Sequence, residues 1–269
     1  MKNFSLYLAS LLLSVFFLTS CVKGSNVTEE IGYGVLDWGG SNNLTPILKS
    51  TFGFFYAPNL TSLVANGTMN IGDCYAFYFR IDLDLPENSL AVAEVNGYQT
   101  ITLIEYAKLS KYYLSSMLTD TLHVLPDEVP VGYVCIDWGY VANHLFLSQT
   151  SIHPEDWEIS WDMSIDYNTI VKEELGKRYY DLYIRAKVKN QGAQIINTSV
   201  QSINAYYIGD YLSLVAMIEQ SFLGSDYDSS TSKFVLRLNY VSELNEETNS
   251  VTWRNDKIEL PVASFLEDY

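Results

Sequence analysis

The sequence predicts an all-β protein built from two consecutive β units. The chain is rich in aromatic residues, with 21 tyrosines among its 269 residues. Its Val, Ile, Thr, Tyr and Phe fall in short alternating runs that suit pleated, half-buried strands. Turn-forming pairs divide those runs at short intervals, as in a sandwich or a barrel. Long helical periods are absent, and the best helix candidate, Asp166 to Leu175, reads as a short connector.

The first 21 residues decide where the chain resides. Lys2 supplies a positive start, and Leu6 to Leu18 form an apolar run that falls short of the about 20 residues a spanning helix needs. Leu18-Thr19-Ser20-Cys21 is a small-residue cleavage site ending in cysteine. Together these make the pattern of a bacterial lipoprotein signal peptide, residues 1–20. Cleavage before Cys21 would leave its thiol and new α-amine to carry acyl chains, palmitate among them. Val22 rather than Asp follows Cys21, so the usual inner-membrane retention signal is missing and the outer membrane is the expected address. Lys23-Gly24, with acids only at Glu29-Glu30, matches acidic surface-export signals poorly, so the periplasmic and surface sides both stay open.

Loss of residues 1–20 leaves 249 residues and removes one lysine but no acid, so 15 bases face 32 acids and the formal charge is −17. Nucleic acid is excluded as an expected partner, because binding it requires clustered Lys and Arg. The expected partners are the membrane, through the acyl chains, and a protein or a glycan. Cys74 and Cys135 remain as mature-chain cysteines besides Cys21. Two buried thiols are favoured over a disulfide between them.

Residues 21–30 read as a lipidated polar tether. The first β unit spans 31–118, with strands expected at Ile31 to Asp37, Phe52 to Ala57, Cys74 to Leu85, Leu90 to Val95 and Thr100 to Tyr106. Asn96-Gly97 is a hairpin signal, since the favoured turn needs positive φ at both central positions. A linker is placed at 119–130, where Asp120, Pro126, Asp127, Glu128 and Pro130 disfavour a helix or a central strand. The second unit spans 131–269, with strands expected at Trp157 to Met163, Tyr179 to Lys189, Ser199 to Ile208, Tyr211 to Ile218, Lys233 to Tyr240 and Val251 to Leu260. Gly209-Asp210 and Asn255-Asp256 are read as tight turns.

Two echoes link the halves. Gly-Tyr-x-x-x-Asp-Trp-Gly occurs at Gly32 and again at Gly132, and Tyr75 to Arg80 is matched by Tyr180 to Arg185. Either two related β units stand in tandem, or two strands ended alike by chance.

The lipoprotein signal, a first β unit with a long strand entered through Gly72-Asp73-Cys74-Tyr75, and a larger second β unit together resemble the NigD-like lipoproteins of Bacteroidetes. That resemblance implies an OB-like barrel followed by an immunoglobulin-like β-sandwich. Gly209-Asp210-Tyr211-Leu212-Ser213-Leu214 matches a strand of the family's sandwich. The resemblance carries no active site and no cofactor, and its name carries a possible role beside a bacteriocin.

Catalytic motifs are not legible. There is no Gly-x-Ser-x-Gly elbow, and the three histidines, His123, His144 and His153, are scattered. No His-x-x-x-His or Cys-x-x-Cys pair supports zinc. Asp226-Tyr227-Asp228 begins like a calcium loop, but Thr231 replaces its glycine and Arg237 its final Glu. Glu155 and Asp156, beside Trp157 and Trp161, suggest a sugar-binding or glycosidase-like cleft; the competing reading is a turn of acids at the head of a core strand. The mixed face of the strand with Tyr78 and Arg80 is the candidate ligand surface. Asp120-Thr121-Leu122 fits the short pattern at which Bacteroidetes attach O-glycans, which makes Thr121 a candidate acceptor. The expected function is a lipid-anchored, non-catalytic binding or structural protein without cofactor or metal, the alternatives being a glycan-active enzyme and an immunity role.

Overall fold

The computed structural model describes residues 26–39, 44–135, 137–228 and 231–262. Cys21 and the predicted signal peptide lie outside them. The all-β class holds, with a small OB-like barrel first and a sandwich second.

The first unit contains β1 (Val27–Gly39), β2 (Thr45–Ser50), β3 (Gly53–Tyr56), α1 (Leu60–Ala65), β4 (Cys74–Asp82), α2 (Leu90–Asn96), β5 (Gln99–Thr100) and β6 (Thr102–Lys108). Its strand order is β5-β3-β2-β1-β4-β6. β5 and β6 are successive pieces of one stretch, which pairs in parallel with β3 on one side and antiparallel with β4 on the other. The two edges of the sheet are therefore the same stretch of chain, and the sheet closes into an OB-type barrel of five strands. Alternation along β4 turns Tyr75, Phe77, Phe79 and Ile81 inward against Leu36, Leu48 and Phe55. Phe55 meets Phe79 at a centroid distance of 4.8 Å and Phe77 at 6.4 Å. β1 passes so close to this cluster that a Cβ on Gly32 would lie 2.6 Å from the Phe77 ring, so the position admits glycine.

The second unit contains β7 (Ser110–Tyr113), β8 (Glu128–Val129), β9 (Val131–Tyr133), β10 (Trp138–Val141), β11 (His144–His153), β12 (Glu158–Ser164), β13 (Lys172–Glu174), β14 (Lys177–Asn190), β15 (Thr198–Tyr207), α3 (Gly209–Leu223), β16 (Lys233–Asn245) and β17 (Ser250–Pro261). One sheet runs β10-β11-β15-β7 with β9 beside β11; the other runs β12-β14-β16-β17 with β8 and β13 beside β14. Leu145, Leu147 and Tyr206 of the first sheet meet Leu182, Ile184, Leu236 and Leu238 of the second in one core. The opposite face of the first sheet, at Phe146 and Ala205, packs on Val35, Cys74, Ala76 and Leu109 of the barrel. The β10-β11-β15-β7 sheet is thus a middle layer, apolar on both faces where it is covered.

Several expectations change. Residues 27–30 are not tether but the start of β1, paired with β4 from Val27↔Asp82 to Glu30↔Phe79. The chain leaves the barrel at Leu109 and enters the sandwich at once, since β7 pairs in parallel with β15. Segment 119–130 is no loose linker, because the fully buried Arg185 pins it. Arg185 Nη1 donates to both Glu128 carboxylate oxygens at 2.6 and 2.7 Å, and Nη2 donates to the carbonyls of Asp120 and His123. The guanidinium also lies 5.1 Å from the Trp253 ring centroid, and the Trp253 indole donates to the Thr121 carbonyl at 2.8 Å.

Leu90–Asn96 and Gly209–Leu223 are helices rather than strands. In α3 the buried positions Tyr211, Leu212, Val215, Ala216 and Glu219 recur with a helical period, so Gly209-Asp210 opens a helix and the family-like strand there is not formed. Gly97 is the left-handed terminator of α2, at φ 74°, and not part of a hairpin turn. Asn255 and Asp256 lie inside β17. The expected helix over 166–175 is a turn followed by β13, which pairs with β14.

The first echo has a structural counterpart: Asp37 and Asp137 each accept from the amide of the following tryptophan, at 2.8 and 2.9 Å. The second does not. β4 pairs with β1, whereas β14 lies in the sheet opposite β9 and β10, and Arg80 is exposed where Arg185 is buried. Cys74 and Cys135 are free thiols, and burial pushes both up to about 12, which leaves them unreactive.

Removing one partner of a buried ion pair costs about 3–5 kcal/mol, since the other charge is left uncompensated. Arg185→Met strands Glu128 inside the sandwich and is expected to lower stability by about that amount, read as a drop in the urea midpoint with unchanged slope.

Candidate functional site on the barrel

A cleft of about 360 Å³ opens on the barrel between the start of α1, the end of β4, the loop after β4, and β5–β6. Its floor is apolar, with Ile101 and Leu103 buried, and its walls carry Asn59, Arg80, Asp82, Glu87, Thr100 and Thr102. Arg80 and Asp82 reach it because the inward residues of β4 are Tyr75 to Ile81 at alternate positions, so the residues between them point outward. An apolar floor ringed by a few hydrogen-bonding groups is a general feature of small-ligand sites.

Asn88 shapes the loop wall. It is 5% exposed, and its side-chain amide donates to the carbonyls of Asp82 at 2.8 Å and Thr100 at 2.9 Å while accepting from the Thr100 amide at 2.6 Å. One side chain thus takes the place of a strand partner between the end of β4 and the end of β5. Pro86 opens the 3-10 turn that presents it.

Arg80 is held by Glu29, its partner on β1, with Nε donating to Oε1 at 2.9 Å. The Tyr78 hydroxyl donates to the other oxygen. These bonds, Tyr78 first and Arg80 second, hold the Glu29 carboxyl below its ordinary range, and the same bond raises the Tyr78 phenol. The groups are exposed, so the cluster orients Arg80 at the cleft rim and contributes little to stability. The same outward face of β4 carries Cys74 and Ala76, which the sandwich covers. Only its Tyr78–Asp82 end meets solvent.

Tyr78 and Arg80 are therefore brought together as expected. The tryptophans are not. Trp161 is 5% exposed in the sandwich core and offers no face to a ligand, which corrects its candidacy. Trp157 donates its indole N–H to the Gln194 carbonyl at 3.2 Å. Asp156 accepts from the amides of Ala193 at 2.6 Å and Gln194 at 3.1 Å, so this acid and Trp157 both fasten the 192–194 loop, while Glu155 lies exposed beside them. Asp156 thus serves the turn before β12 by fastening the 192–194 loop. The histidines are each bound locally, His123 to Asp120 at 2.9 Å, His144 to the Ala142 carbonyl at 2.6 Å and His153 to the Pro154 carbonyl at 2.7 Å. Thr121 is half-buried in the turn that Asp120 organises by accepting from the Leu122 and His123 amides. Glu29 and Asn88 were missed. Pro86-Glu87-Asn88-Ser89 is a visible turn signal for the second, but Glu29 has no local signal, since its partner lies 51 residues away.

Residues 24–107 match a family model described as a lipoprotein OB domain. No curated protein matches the chain. Among solved structures, an uncharacterised protein from Parabacteroides merdae is similar with a TM-score of 0.71 and 20% identity, over 87% of this chain and 99% of that one. A putative toxin-related protein from Parabacteroides distasonis has a TM-score of 0.52 and 11% identity, over 90% and 98%. A NigD-like immunity protein from Bacteroides caccae, with a TM-score of 0.41 and 8% identity over 87% and 94%, is too distant to bear on the fold. The match over residues 24–107 agrees with the closed barrel of the first unit, and the Parabacteroides merdae protein shares the fold over 87% of this chain. Among the described residues no helix is long and apolar enough to cross a membrane.

Asn88→Ala removes three part-buried hydrogen bonds, leaving the Thr100 amide and carbonyl without this partner and the Asp82 carbonyl to the longer 3.4 Å bond from the Leu85 amide. It is expected to cost about 1–3 kcal/mol in urea unfolding and to raise amide exchange across 83–100. Asp120 gives a second expectation. The amides of Leu122 and His123 and the His123 ring hold its carboxyl at about 2, below the ordinary 3.8. A depressed carboxyl stabilises fully above its unfolded value and loses that contribution as pH falls through the folded value. The 120–123 turn should therefore loosen between about pH 4 and pH 2, read by amide exchange at Leu122 and His123, and Asp120→Asn should flatten that response.

Proposed function

We propose that this chain is a lipid-anchored, non-catalytic protein of the outer envelope whose barrel holds a glycan or a partner-protein segment in the Arg80 cleft. The observation that carries the reading is the cleft itself, where one oriented guanidinium stands among hydroxyls and carboxylates above an apolar floor, on a domain that matches lipoprotein OB domains. Carboxylates and hydroxyls bind sugar hydroxyls or peptide amides, and Arg80 adds a donor for a carboxylate or a carbonyl. The mature chain starts at acylated Cys21, with Val22 directing it to the outer membrane.

Two measurements test the two parts. Labelled palmitate should be incorporated into the wild-type chain and not into Cys21→Ser, and the wild type should fractionate with the outer membrane; equal incorporation by both overturns the anchor. For the cleft, titration with soluble oligosaccharides and short peptides should shift the amides of Arg80 and Thr100–Leu103. Arg80→Ala, which removes an exposed side chain, should weaken the interaction about tenfold, equivalent to about 1.4 kcal/mol. Shifts confined to other surfaces would reject the cleft.

A further inference from the structure

We infer that the loop after β4, with α2 at its tip, is a membrane-docking surface that lays the barrel on the bilayer holding its own lipid anchor. The inference rests on acylation of Cys21. β1 begins at Val27, and Asn26 is already fixed against this loop: its side chain donates to Asp84 at 2.6 Å and its carbonyl accepts from the Leu83 amide at 3.0 Å. Five residue steps separate Asn26 from Cys21, so the chain spans at most about 18 Å between them. A barrel tethered that closely meets the bilayer with whatever lies beside Asn26.

What lies there is apolar and uncovered. α2 buries none of its residues, whereas α1 buries Leu60 and α3 buries a full face. Leu90 is 75% and Val95 72% exposed, and Leu83 and Val92 are exposed beside them. Such side chains, projecting from one loop, suit the headgroup and acyl boundary of a lipid layer. The charges nearby choose the lipid. Asp84, Glu87 and Glu94 accompany the loop, and anionic headgroups would repel them. The surface therefore fits a zwitterionic bilayer.

The test couples the Cys21 thiol of residues 21–269 to a maleimide lipid in phosphatidylcholine vesicles, so that the anchor is present whether or not cells supply it. Hydrogen exchange is compared with the same chain free of lipid. The expected result is several-fold slower exchange over 83–97 on vesicles, no change over 192–197, where Ile195 and Ile196 are equally exposed on the sandwich, and weaker protection on phosphatidylglycerol-rich vesicles. Leu90→Asp with Val95→Asp should abolish the protection while leaving exchange in β6 untouched, which shows the barrel intact. Unchanged exchange over 83–97 on vesicles overturns the inference, as does protection that appears without lipid and rises with protein concentration, which would indicate a second copy. Loss of cellular palmitate labelling would refute the anchor alone and is read separately.

Discussion

The structure depends on one stretch of chain, Gln99–Tyr113, and on the hydrogen bonds it must satisfy. Its first part pairs with β3, its middle with β4, and its last part with β15. A barrel closes only if its final strand can reach both edges, and here the strand that closes it runs on without a connector into the sandwich. Barrel and sandwich are thereby joined through Leu109, which itself enters the core between them.

Side-chain packing follows from that backbone constraint. With β7 in the middle sheet, Tyr112 stacks on Tyr206 at 5.6 Å, and the outward residues of β1 and β4 are pressed onto Phe146 and Ala205. The small residues Ala76, Ala205 and Cys74 allow the two sheets to approach there. On the far side Arg185 does a related task for the crossing segment, since it satisfies carbonyls that a strand would otherwise pair. Its bonds to Glu128 balance the charge where water cannot. The exposed surface left by this packing is uneven, and the end of β4 with the loop after it is the part of that face the sandwich does not cover.

Legibility in the sequence tracked how local each signal was. β4 and β14 were readable because alternation in Tyr75 to Arg80 and Tyr180 to Arg185 is a period-two pattern held in a few residues. α2 was misread because Leu90 to Val95 is short, aliphatic and exposed, so no buried face marks its period. α3 was misread because Tyr211 to Ile218 is apolar at too many positions to separate a helix from a strand by periodicity. Near the candidate site, Tyr78 and Arg80 share the mixed face of one strand, which a period-two pattern makes legible, and Arg80 lines the cleft. Glu29 and the floor residues Ile101 and Leu103 needed the pairing of distant strands, and Trp161 could not be assigned to the core before its sheet had a partner.

The sequence by itself determined the all-β class and its division into two consecutive β units, because composition and alternation are properties of the chain alone, and the order of a small barrel and a larger sandwich is what the family resemblance implied. Tertiary structure alone decided that β1 begins at Val27, that 119–130 is locked by Arg185, that Asp156 and Trp157 fasten the 192–194 loop, and that Arg80 faces a cleft. Each of these turns on which residues far apart in the chain come within hydrogen-bonding distance, and no local pattern encodes that.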